Sequence, residues 1–142
     1  MKLFQRRRMI RFSDCDPAGI VFFPQYFVML NGLVEDWIEE ELGIGYSRLI
    51  VGRGVGLPTV HLESDFSAVS RIGDHVVLSL GVERLGSRSI SLQVSCDGTG
   101  EAAGQRRVSI RQVLVTTSQQ THQSIDIPPD LRAAIERFRE SP

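Results

Sequence analysis

An α+β domain, with one antiparallel five-stranded sheet laid against one long helix, is the architecture the sequence predicts. Three observations predict it. One stretch, from about residue 23 to 42, carries its apolar side chains at helical spacing. Four later stretches alternate apolar and polar residues with period two, joined by short turns. At 142 residues the chain can bury one proper core, so 1–142 reads as a single domain.

Residues 4–12 read as a first strand ending in Ile10 and Phe12, with Arg6, Arg7 and Arg8 on its exposed part. In the helix, Tyr26, Phe27, Leu30, Val34, Trp37, Ile38 and Leu42 recur at helical spacing, and Glu35, Asp36, Glu39 and Glu40 occupy much of the opposite face. Pro24 suits the first turn, where a missing N–H costs nothing, and Gly43 is a natural stop. Val60, Leu62 and Phe66 mark the second strand; Val76, Leu78, Leu80 and Val82 the third. Ile90, Leu92, Val94 and Cys96 mark the fourth, and Val108, Ile110 and Leu114 the fifth. Leu85–Ser89 is short enough for a hairpin loop, residues 98–104 supply another turn, and Thr116–Ser124 reads as loose. After Pro128-Pro129, the spacing of Leu131, Ile135 and Phe138 predicts a short C-terminal helix. A sheet against one long helix buries the apolar surfaces of both.

Composition narrows the function. A formal charge of −1 gives no electrostatic reason to expect nucleic acid or an anionic membrane as a partner. No apolar run reaches the length of a membrane span, and the arginine-rich N-terminus lacks the apolar core of a signal peptide. The two cysteines, Cys15 and Cys96, form no CxxC pair and read as reduced thiols of a cytoplasmic protein. Serine hydrolase chemistry is disfavoured, because no GxSxG elbow exists. Gly52-Arg53-Gly54-Val55-Gly56 lacks the spacing of a phosphate loop and reads as a flexible entry to a strand. His75 and His122 read as surface residues, without metal-ligand spacing to each other or to a cysteine.

The most informative segment is residues 12–27. Asp16-Pro17-Ala18-Gly19 fits a type I turn: aspartate can bond its own backbone, proline presets φ, and glycine suits the fourth position. Ile20-Val21-Phe22-Phe23 follows, so the turn carboxylate is expected against an apolar wall that makes it more basic and more nucleophilic. A calcium loop starting at Asp14 fails, since its fifth position would be Ala18 and its twelfth Gln25. Asp14 reads as a support for the turn. For Asp16, a reacting carboxylate and a turn cap that bonds only its own backbone stand as even alternatives on the residues alone.

Asp14-Cys15-Asp16-Pro17-Ala18-Gly19-Ile20-Val21, then two aromatics, Pro24 and Tyr26, resembles the signature of the 4-hydroxybenzoyl-CoA thioesterases, a family of hotdog-fold acyl-CoA thioesterases. The element order agrees with that fold. The resemblance implies that Asp16 is the catalytic carboxylate, with Gly19 closing its turn, and that the backbone N–H of Phe23 polarises the thioester carbonyl. Phe23 lies at the helix N-terminus, where N–H groups lack intrahelical partners and the dipole favours negative charge. Coenzyme A enters as part of the substrate, and no metal or other cofactor is implied.

Further roles follow from the resemblance. Phe22, Tyr26, Phe27, Asn31, Pro58, Thr59 and His61 are expected near the acyl group, and Arg84, Arg88 and Ser89 near the nucleotide end of coenzyme A. The relative carries an aspartate for the substrate's phenolic hydroxyl where this chain has Asn31; an amide can bond a hydroxyl but is no charged acceptor. The expected substrate is therefore an aromatic acyl-CoA, like 4-hydroxybenzoyl-CoA. A broad short-chain thioesterase and a non-catalytic acyl-CoA or acyl-carrier binding module are the alternatives. The expected assembly is a homotetramer, a dimer of dimers, in which Pro58 and Thr59 approach the catalytic carboxylate of a neighbour.

Overall fold

The computed structural model describes residues 1–142. Strand β1 (Phe4–Met9) leads through a 3₁₀ turn at Phe12–Asp14 to helix α1 (Pro24–Asp36), which continues as a π turn over Trp37–Glu41. A second π turn at Arg48–Gly52 precedes β2 (Val55–Gly56), β3 (Thr59–Phe66), β4 (His75–Leu85) and β5 (Ser89–Gly98). The chain ends with β6 (Arg106–Val115), β7 (Thr117–Ser118) and α2 (Pro129–Glu140). Five strands pair antiparallel in the order β1-β4-β5-β6-β3, and β2 and β7 form a separate ribbon.

Period-two alternation explains the sheet. Val76, Leu78, Leu80 and Val82, then Ile90, Leu92, Val94 and Cys96, then Val108, Ile110 and Leu114, are all buried on one face. Onto that face α1 lays Tyr26, Met29, Leu30, Leu33 and Val34, continued by Trp37 and Ile38. Helix α2 adds Leu131, Ala134, Ile135 and Phe138, with the Phe138 ring edge-on to Trp37 at 5.6 Å. The helical run closes on a bond from the Leu42 N–H to the Trp37 carbonyl at 2.9 Å, just before Gly43 at φ +69°.

Two expectations need correction. The first strand stops at Met9 instead of 12, because the Asp14 carboxylate takes the Arg11 N–H at 2.8 Å and folds Phe12 into a turn, 75% exposed. Thr116–Ser124 is not loose: β7 pairs with β2, and a buried Thr116 takes the Ile125 N–H on its carbonyl at 2.8 Å.

Strands β1 and β3 are the sheet edges. Edge β3 is exposed along nearly its whole length, including Val60 at 59%, Leu62 at 40% and Phe66 at 50%. Apolar side chains on an open edge mark a surface that another chain can cover.

Candidate active site

Residues 14–22 double back as a miniature hairpin. The Gly19 N–H bonds the Asp16 carbonyl at 2.9 Å, the Asp16 N–H bonds the Ile20 carbonyl at 3.0 Å, and the Phe22 N–H bonds the Asp14 carbonyl at 3.0 Å. Gly19 sits at φ +77°, where a side chain would be strained. The Asp16 carboxylate accepts the Ala18 N–H on Oδ1 at 2.8 Å, and its Oδ2 has no partner in the chain. Asp14 is buried, with its carboxylate held by Arg8 Nη2 at 2.6 Å and the Arg11 N–H at 2.8 Å.

The hairpin ends at α1. Its first residues leave the Phe23 N–H without a partner, while the N–H groups of Phe22, Gln25 and Tyr26 are all bonded. An unpaired amide at a helix N-terminus is a ready anion or oxyanion donor. The apolar wall expected behind Asp16 is incomplete: Val21 is buried, but Phe22 and Phe23 are exposed.

A loop between β3 and β4 backs this hairpin. The Val21 N–H donates to the Ser70 carbonyl at 2.9 Å, and the Ile72 N–H to the Gly19 carbonyl at 3.0 Å. A cavity of about 310 Å³ opens between hairpin, helix start and loop, lined by Val21, Phe23, Tyr26, Phe66 and Val69 among others. Phe66 is its aromatic centre, with Phe23, Phe27 and Tyr26 at centroid distances of 5.9, 6.2 and 6.2 Å. A second cavity, of about 180 Å³, lies further along α1 between Phe27, Leu30, Asn31, Thr59, Leu62, Ile110 and Gln112. There the Gln112 Nε2 donates to Thr59 Oγ1 at 2.9 Å.

Cys15 sits inside the hairpin, but burial pushes its thiol above the ordinary range, and the fields of Asp14, Asp16 and Asp74 push it further. A thiol kept protonated is a poor nucleophile.

A sequence model of the thioesterase-like superfamily matches residues 10–135. The chain belongs to that superfamily. Over 82 residues it is 30% identical to a 1,4-dihydroxy-2-naphthoyl-CoA hydrolase of Synechocystis sp., covering 58% of this chain and 59% of that one. The chain thus spans about three fifths of the length of the curated relatives it matches. A gentisyl-coenzyme A thioesterase structure is similar with a TM-score of 0.78 at 27% identity, over 94% of this chain and 99% of that one. The 4-hydroxybenzoyl CoA thioesterase from Pseudomonas sp. strain CBS-3 has a TM-score of 0.83 at 22% identity, again over 94% and 99%. These likenesses establish the hotdog fold.

In this superfamily member the expected site residues do not all come together. Phe23, Tyr26, Phe27, Asn31 and Thr59 line the two cavities along α1. Phe22 stacks edge-on against Phe23 at 5.7 Å, outside both linings. His61 stands on the far face of β3 from Leu62, paired with Glu63 at 2.9 Å, and Pro58 is exposed just ahead of the strand. Arg84, Arg88 and Ser89 lie by the β4–β5 hairpin, at the opposite end of the sheet from the Asp16 turn, which packs near the start of β4. The 11 residues of β4 put roughly 30 Å between those ends. Arg88 is tied there to Asp126 at 2.9 Å and to Ser124. Phe66 and Gln112 line these cavities, Arg107 bonds Ser70 in the loop behind them, and no motif in the sequence marks any of the four.

Proposed function

We propose that this chain is an acyl-CoA thioesterase that hydrolyses an aromatic acyl-CoA, of the 4-hydroxybenzoyl kind, to the free acid and coenzyme A. One observation carries the reading: a single hairpin presents a turn carboxylate with a free Oδ2, at Asp16, and runs into the unpartnered Phe23 N–H at the N-terminus of α1.

With the thioester oxygen on that N–H, the negative charge that develops on it is met by a preorganised donor and the helix dipole. Asp16 Oδ2 either attacks the carbonyl carbon, giving an acyl-aspartyl anhydride that water hydrolyses, or takes a proton from a water that attacks directly. By both routes the C–S bond breaks with its electron pair on sulfur, water oxygen ends in the acid, and a proton ends on the thiol. Coenzyme A thiolate leaves readily, so the reading needs no general acid, metal or further cofactor.

The acyl group lies along α1. Asn31 is eight residues from Phe23, roughly 12 Å at the helical rise, a gap filled by one aromatic ring with a hydrogen bond of about 3 Å at each end. Phe27 and Phe66 supply flat walls, and Asn31, Thr59 and Gln112 supply polar ends. The relatives' named substrates, 1,4-dihydroxy-2-naphthoyl-CoA and 4-hydroxybenzoyl-CoA, are likewise hydroxylated aromatic thioesters.

The reading includes a second copy of the chain. Antiparallel pairing of two β3 edges about a two-fold axis would cover Val60, Leu62 and Phe66. It would also set Thr59 of one subunit beside the Phe66 end of the other, where Asp16 stands. The β4–β5 hairpin, too far from its own Asp16, then serves the phosphates of a coenzyme A bound at another subunit, with Arg84, Arg88 and Ser89. A dimer of dimers completes the homotetramer. The two free cysteines fit a cytoplasmic setting.

A thiol-release assay over a panel of aryl- and alkyl-CoA esters tests the reading. Faster release from aryl esters is expected. Preference for short alkyl chains would move the chain to the broad thioesterases, and no release from any ester would make it a binding module.

A further inference from the structure

We propose that Arg107 is a positioning residue of this site, holding through Ser70 the Asp16 turn and the Phe23 amide in one fixed relation. The proposal rests on the reading of Asp16 and Phe23 given above and adds a residue that lies outside the motif.

Arg107 is the second residue of β6, and its side chain is only 6% exposed. It organises the loop behind the hairpin from both ends. Its carbonyl accepts the N–H groups of Ser67 at 2.9 Å and Ala68 at 3.4 Å. Its Nη1 donates to the Val69 carbonyl at 2.9 Å, to Ser70 Oγ at 3.2 Å and to Asp74 Oδ2 at 3.0 Å. One side chain and its own peptide thus hold residues 67–70 and the acid that ends the loop.

Ser70, fully buried, passes this hold to both halves of the site. Its carbonyl takes the Val21 N–H at the base of the Asp16 hairpin, at 2.9 Å. Its Oγ is bonded by the Tyr26 hydroxyl at 2.8 Å, in the first turn of α1, three residues beyond Phe23. The distance between carboxylate and oxyanion donor is therefore set against one buried hydroxyl and one buried carbonyl. A burden accompanies this arrangement. Arg107 Nε is buried with no partner, and taking a guanidinium out of water costs stability that an incompletely bonded group does not recover in full. Stability alone gives little reason for a charge here, whereas one terminal nitrogen bonded to three acceptors at once fixes the loop in place.

The test compares Tyr26→Phe, Ser70→Ala, Arg107→Met and Arg107→Lys with wild type on the best ester from the panel. Thermal midpoints and the concentration of folded protein are measured for each. The expected result is a fall in kcat per folded molecule of about 100-fold for Arg107→Met, the scale of an ångström-sized misplacement. KM should stay within about threefold, because the acyl and coenzyme contacts are elsewhere, and Arg107→Lys should recover part of the kcat. Ser70→Ala, which keeps the ion pair, should show the same split and carries the test if Arg107→Met does not fold; Tyr26→Phe, whose ring lines the cavity, is read on kcat alone. Variants that lose thermal stability while keeping kcat per folded molecule would make Arg107 a purely structural residue and overturn the proposal. Asp16→Asn in the same series separates the two readings. Activity retained in Asp16→Asn would overturn the proposed function, whereas activity lost there but retained in the others overturns only the role of Arg107.

Discussion

The carbonyl of Asp14 accepts the Phe22 N–H at 3.0 Å, and this bond decides which of two adjacent amides is left over for chemistry. Phe22 is taken by the hairpin, and Phe23 is free. Asp14 thus acts through its backbone on the amide and through its buried carboxylate on Arg8 and Arg11. Replacing it by alanine leaves the half-buried Arg8 without its partner. Asp14→Ala is expected to lose about 2 kcal/mol of stability, measured by urea unfolding. An unchanged midpoint would show that the carboxylate holds nothing.

Asn31 should matter only to substrates that carry a hydroxyl at the far end of the ring. One hydrogen bond is worth about 1 kcal/mol, so Asn31→Ala should lower kcat/KM roughly fivefold to tenfold on 4-hydroxybenzoyl-CoA. Benzoyl-CoA, which lacks the hydroxyl, should be hydrolysed as before. Equal losses on both esters would place the ring elsewhere.

The proposed edge pairing through β3 would make Val60 an assembly residue. A carboxylate buried at that edge without a partner is unfavourable, so Val60→Asp should shift the chain toward monomer in sedimentation velocity. Activity should fall with it, since Thr59 of the second subunit is then absent. An active Val60→Asp monomer would show that one subunit is sufficient.

Asp74 gives the fold a pH dependence of known sign. The Arg71 N–H at 2.9 Å, aided by Arg107, holds its carboxyl below the usual aspartate value of 3.8 against the opposing effect of burial. A depressed folded value means that the stabilisation is complete above 3.8 and is lost as pH falls below it. The stability gap between wild type and Asp74→Asn should therefore be widest near neutrality and shrink in acid. A gap that widens in acid would reverse the assignment.

Much of this molecule could be read in advance, and the remainder shows what one-dimensional pattern lacks. The four period-two stretches became β3 to β6, and the helical spacing of Tyr26, Leu30, Val34 and Trp37 became the buried stripe of α1. The β2–β7 ribbon escaped because two-residue strands have no period to read. Phe66 looked like an ordinary core residue, and only its place on an edge strand reveals its 50% exposure and its contacts with Phe23 and Phe27. Asp16 and Phe23 share one short segment, so a resemblance across that segment brings both to notice. Ser70, Arg107 and Gln112 join them through sheet register across long stretches of chain, which no local motif records. The resemblance sets His61 near the acyl group, yet parity sets it on the face away from α1.

The proposed role of Asp16 in the hydrolysis is tested by kcat of Asp16→Asn against wild type at saturating aryl-CoA. Asparagine keeps the size of the side chain and an oxygen for the Ala18 N–H, but removes the nucleophile or base. A loss of about 10³-fold in kcat is expected, with an unchanged fold and similar KM. Turnover equal to wild type would contradict it.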